Sequence, residues 1–208
     1  DLPSGAGRLF LGGGIAYVTA GDGFAGGFST VSVSDRRDLQ LLSGVDNTGL
    51  MGRAIAVGGS GLAVLVGNNG NQGSNADIVN VADAEITDAS LTRFAIPGLP
   101  RGVAIGSGIA FVSASDRGLQ VLNFAGADTA GIPPTVSLSS PAIDRDPDTT
   151  GRQIQEGATI DAEASVVDDA QIFKVDFFVD NVPIASDLSY PFTFRFAAPT
   201  LASGATST

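Results

Sequence analysis

Gly14-Ile15-Ala16-Tyr17-Val18, Gly61-Leu62-Ala63-Val64-Leu65-Val66 and Gly108-Ile109-Ala110-Phe111-Val112 repeat one pattern, with Ile15, Leu62 and Ile109 spaced 47 residues apart both times. Each is a glycine turn followed by an apolar run of strand length. A period of this length, with several strands in each unit, predicts β-propeller blades. Outward from these runs, an arginine-led apolar strand precedes each one: Arg8 to Leu11, Arg53 to Val57 and Arg101 to Ile105. Glycine-rich turns join the pairs at 12–14, 58–61 and 106–108. Glycine closes such hairpins tightly because positive φ costs it nothing sterically. A third strand is predicted over 30–35, 77–83 and 118–123, and an outer one over 38–43 and 90–96, with no counterpart after residue 124. The inner runs are apolar throughout, as burial on both faces requires, whereas the third strands alternate.

Composition narrows the chemistry. The 208 residues include no Cys and no His, which removes zinc sites of the usual ligand type, thiol chemistry and any serine–histidine triad. Net charge is −11, with 11 acidic and 7 basic residues in 1–132 and 11 and 4 in 133–208. Neither half offers the basic patch that a phosphate backbone requires, so no nucleic-acid partner is expected. No stretch approaches the length of a membrane-spanning helix, so no membrane insertion is expected either. The opening Asp1-Leu2-Pro3 lacks a signal-peptide pattern and reads as the interior of a longer protein.

The glycine turn, the Ile-Ala-aromatic-Val strand and a strand ending in Asp together resemble the LVIVD-type β-propellers of bacterial and archaeal surface proteins. The resemblance covers residues 8–124. The family's Asp-Pro is replaced by Asp35-Arg36 and Asp83-Ala84. Propellers close with about four to eight blades, so two full repeats and a partial third make a partial propeller.

Residues 126–134, ending in Pro133-Pro134, read as a linker between a repeat region over 1–125 and a second domain over 135–208. There the alternation is clean. Ile160, Ala162, Ala164 and Val166 oppose Thr159, Asp161, Glu163 and Ser165, and Phe192, Phe194 and Phe196 oppose Thr193 and Arg195. Phe173, Val175 and Phe177 are expected to face inward, Phe178 outward, and Asp180-Asn181 to form a tight hairpin turn. Pro133 to Leu138, Lys174 to Asp180, Ile184-Ala185 and Tyr190 to Phe194 together resemble a bacterial immunoglobulin-like domain. That resemblance implies an incomplete β-sandwich lacking its last two strands. The expected fold class is therefore all-β, a partial propeller of two to three blades plus this sandwich. Open sheet edges invite a strand from another chain.

Candidate sites are few. Gly21 to Gly26 fits a dinucleotide-type glycine pattern, but a strand and not a helix is predicted after it, which reads as a blade loop. Asp144, Asp146 and Asp148 have the opening spacing of calcium loops, and the Asp180 turn is expected at the same end of the sandwich, so Ca2+ is the one cofactor considered. Asp168-Asp169 and Asp187 read as strand ends and turns. Asn68, Asn69, Asn71, Gln72 and Asn75 form a polar loop suited to presenting amides to a protein or glycan partner. Arg8, Arg53 and Arg101 are expected to pair with Asp35 and Asp83. The reading that follows is a non-catalytic extracellular or cell-surface module, bacterial or archaeal, for adhesion, surface display or assembly. Two alternatives stand beside it: part of a secreted polysaccharide-active hydrolase or lyase, and a filament subunit joined to neighbouring copies by strand donation.

Overall fold

The computed structural model describes residues 7–21, 26–44, 49–68, 70–71, 73–124, 130–150, 152–168 and 170–200. Among them the only helical turn is a 3-10 turn at Ser115–Arg117, and every strand pairing is antiparallel. Strands β1 (Leu9–Gly12), β2 (Ile15–Thr19), β3 (Phe28–Ser32) and β4 (Gln40–Ser43) form the first sheet in sequential order. The second repeats the plan with β5 (Ala54–Val57), β6 (Leu62–Asn68), β7 (Ser74–Asn80) and β8 (Ser90–Ala95). The third has β9 (Gly102–Gly106), β10 (Ile109–Ser113) and β11 (Leu119–Leu122), and no fourth strand among the described residues.

The turn chemistry is what makes the sheets alike. Left-handed backbone at Gly13 and Gly14, Gly59 and Gly61, and Ser107 and Gly108 closes the first hairpin of each sheet. The third strands begin earlier than the alternation predicted, at Phe28 and Ser74, so Asp35 and Asp83 fall beyond them. There the Asp35 carboxylate accepts the N–H of Arg37 and the Asp83 carboxylate accepts that of Glu85, each at 2.9 Å. These are Asx turns, which account for the recurrent aspartates in place of the arginine pairing expected of them. Arg101 instead donates from Nε to Ser115 Oγ at 3.0 Å.

Strands β5 to β7 of the second sheet are buried on both faces, which is why Leu62 to Val66 of β6 is an unbroken apolar run. Ile55, Val57, Ala63, Leu65 and Val79 pack against Tyr17 and Phe28 of the first sheet. Ala54, Val64, Val66, Ala76 and Ile78 pack against Ala110 and Val112 of the third. Thr19 Oγ stitches the first two sheets, accepting the Arg8 N–H at 2.7 Å and donating to the Arg53 carbonyl at 3.0 Å.

The remaining strands are β12 (Thr135–Ser139), β13 (Thr159–Val167), β14 (Val175–Val179), β15 (Val182–Asp187) and β16 (Phe192–Ala197). They form a three-stranded sheet in the order β12-β13-β16 and a β14-β15 hairpin. The hairpin turns at Asp180 and Asn181, with φ of 49° and 63°, the doubly left-handed backbone of a type I′ turn. Ala162, Ala164, Val166, Ile172, Phe177 and Phe192 are the buried core between the two layers. Phe178 faces outward as its position predicts, beside a bulge at Phe177/Phe178. Phe173 does not face inward. It precedes β14 and is 60% exposed, and the adjacent Ile172 takes the core position instead.

Candidate functional site

The C-terminal strands rest on the three glycine turns. Tyr190, on the connection between β15 and β16, stacks on Phe10 of β1 and meets Phe192 edge-on, with centroids 6.3 and 5.8 Å apart. The seat is made by absent side chains. A Cβ added at Gly12 would lie 2.5 Å from Tyr190 Cε1, and one at Gly59 would lie 2.7 Å from Phe192 Cε2. One added at Gly13 would overlap the Tyr190 hydroxyl, and one at Gly58 the Gln171 amide. Polar contacts fix the register. Ser60 Oγ donates to Gln171 Oε1 at 3.1 Å, and the Ser107 N–H donates to the Leu188 carbonyl at 2.9 Å. All three sheets therefore touch the C-terminal strands through the same rim.

This contact encloses both tyrosines of the chain. Burial, and then the neighbouring Tyr190, push the Tyr17 hydroxyl up to about 12. Burial also raises Tyr190, with the Glu163 charge adding to it.

The opposite rim carries the loops following β2, β6 and β10. The strands β6 and β7 run further than the polar composition of residues 67–75 suggests. Asn75 lies within β7 and is 5% exposed, so it presents no amide to a ligand. Asn68 ends β6 with its amide committed, donating to Ser74 Oγ at 2.8 Å and accepting the Gly70 N–H at 2.7 Å. Asn71 is exposed, while Asn69 and Gln72 lie outside the described residues. Of the glycine pattern at 21–26, residues 22–25 also lie outside them, and strand β3, not a helix, follows.

The aspartate loop is held by its own hydrogen bonds. Asp144 Oδ1 accepts the N–H groups of Asp146 and Gln153 at 3.1 and 2.9 Å. Asp146 Oδ2 accepts from Thr149 Oγ1 at 2.7 Å. Among the described residues, no three acidic side chains are brought together to hold a metal ion, and Asp144, Asp146, Asp148 and Asp180 form no such group. Asp187 accepts the N–H groups of Ser189 and Thr193 at 3.2 and 3.0 Å, the turn role its position predicts. Asp169 lies outside the described residues.

A cleft of about 500 Å³ opens between the two layers of C-terminal strands. Leu138, Ile160, Phe177, Phe194 and Phe196 line it, with Arg152 and Glu156 also in its wall. Phe194 stacks against Phe177 on one side and Phe196 on the other, with both centroid distances 5.7 Å. Such a wall suits apolar side chains. Sequence patterning marks these phenylalanines as core; their access to solvent depends on which strands cover them.

Neither a curated protein nor a solved structure matches the chain. No helix among the described residues is long and apolar enough to cross a membrane. Residues 134–208 match the family model described as a bacterial Ig domain, a stretch that includes β12 to β16 and a kind of domain typically extracellular or surface-associated.

Proposed function

We propose that the chain is a non-catalytic module of an extracellular or cell-surface protein, working in adhesion, surface display or assembly. In this reading residues 1–125 are part of a β-propeller of LVIVD type, and 135–208 are an immunoglobulin-like spacer. The observation that carries it is the seating of the immunoglobulin-like strands on the turns of all three repeats, with Tyr190 stacked on Phe10. A spacer fixed to one rim leaves the loop rim free to meet a protein or glycan. The propeller part is supported by three antiparallel meanders stacked face to face, with β5 touching both β1 and β9. The test is to pass the immobilised chain over an array of polysaccharides and cell-wall fractions, reading retention and released reducing ends together. Retention without release is expected, and release of sugar products would replace this reading with a hydrolase or lyase.

The apolar cleft favours a second reading, a filament subunit that accepts an extended segment of a neighbouring copy between its layers. Phe194→Asp would then abolish fibres seen by electron microscopy. Fibres that persist in the variant would exclude it.

A further inference from the structure

The repeat permits an internal comparison, because residues 47 apart in β2, β6 and β10 hold equivalent places. Tyr17, Val64 and Phe111 hold the same place on the same side of their sheets, the side away from the preceding repeat. Tyr17 is buried against the second sheet and Val64 against the third, but Phe111 meets no sheet and is 37% exposed. Strand register extends the comparison. Ala76 and Ile78 pair with Val66 and Val64, as Leu119 and Val121 pair with Ser113 and Phe111. Ala76 and Ile78 are 0% and 3% exposed, whereas Leu119 and Val121 are 63% and 58% exposed.

The face toward the preceding sheet shows the reverse. Ile55 and Val57 pair with Leu65 and Ala63, as Leu9 and Leu11 pair with Val18 and Ala16. Ile55 and Val57 are 4% and 5% exposed against the first sheet, and Leu9 and Leu11 are 63% and 56% exposed. The described residues thus bury one kind of interface twice and leave its two halves exposed at the two ends of the three-sheet stack. After β11 it passes to the C-terminal strands, which occupy the turn rim and cover neither half.

We infer that a second copy of this chain covers both faces, with Phe111, Leu119 and Val121 of each copy packing on Leu9 and Leu11 of the other. The contact continues an interface already present within the chain, and it is heterologous, one face meeting a different one. Two copies bring six sheets together, within the four to eight that close a propeller. Closure at two copies rests on the propeller reading, while the pairing of faces does not.

The test is light scattering on the intact chain at high micromolar concentration, where twice the chain mass is expected. Leu11→Asp and Phe111→Asp should each run at the monomer mass. An equimolar mixture of the two should recover the double mass, because each variant supplies the face the other has lost. Circular dichroism checks that the variants fold, and Leu11→Ser with Val121→Ser repeats the test with milder changes. A wild-type chain at monomer mass would overturn the inference. So would a mixture that stays monomeric, since the copies would then meet through one and the same face. Glycan retention by the monomeric variants reads the proposed function separately.

Discussion

Tyr190 stacks on Phe10 with the ring planes 13° apart, joining residues 180 positions distant in the chain. Tyr190 also packs with the core shared by the first two sheets and with the core of the C-terminal strands. Tyr190→Ala should therefore destabilise the protein by about 3 kcal/mol, the usual range for truncating a large packed ring. Urea denaturation followed by circular dichroism measures this. A loss below about 1 kcal/mol would show that the rings touch without supporting each other.

Glycine substitutions separate backbone strain from contact. Gly59 and Gly70 both have left-handed backbone, at φ of 87° and 74°, but only Gly59 has neighbours within reach of a Cβ. Alanine at Gly70 should cost about 1 kcal/mol from backbone alone. At Gly59 the clash with Phe192 and Tyr190 adds to that, and a cost about twofold larger or more is expected. Equal melting temperatures for the two variants would contradict the seat.

Alkaline pH should weaken the same contact. The Tyr17 hydroxyl holds its proton to about 12 in the folded chain and only to about 10 when unfolded. Between those values the folded state binds more protons, so stability falls as pH rises from 10 to 12, by roughly 1–3 kcal/mol. The chain has two tyrosines and no tryptophan, so absorbance at 295 nm reports these hydroxyls alone. Phenolate formation complete by pH 10.5 without unfolding would refute the burial.

Asp77 is fully buried in β7, with Oδ1 held by Arg93 Nε at 2.5 Å, while Arg93 also donates to the Gly49 carbonyl at 3.0 Å. Arg93→Met strands that carboxylate and should cost about 3–5 kcal/mol at neutral pH. Adding Asp77→Leu should recover most of the loss. A double variant no more stable than Arg93→Met would show that the pair is not what the single change disrupts.

Millimolar calcium should leave the melting temperature unchanged, since Asp144 Oδ1 and Asp146 Oδ2 are turned to the loop's own N–H and O–H donors and no three acidic side chains converge among the described residues. A rise of several degrees, growing with calcium concentration, would establish a site.

Periodicity made most of the strands legible because each depends on local alternation and turn glycines. It displaced the third strands, since the run from Ser74 to Asp77 is polar by composition and yet buried in β7. A pairing strand on each side satisfies its backbone, and Arg93 holds Oδ1 of Asp77, leaving Oδ2 buried without a hydrogen-bond partner. It misplaced Phe173 because an aromatic two residues before a strand fits the alternation without belonging to it. The seat of Tyr190 on Gly12, Gly13 and Gly59 left no trace in the pattern. These glycines already had a local reason to be there, and a contact spanning most of the chain has no period.

Glycines serving at once as hairpin bends and as a bearing surface divide the repeat stack into two unlike ends for inserted residues. One extra residue in the 12–14, 58–61 or 106–108 turns would lever the C-terminal strands away, so homologous chains that keep this docking should vary in length elsewhere. The segment after β6, around Gly70 and Gly73 where an added Cβ meets open space, is the place to carry a reporter peptide or a tag without cost to folding.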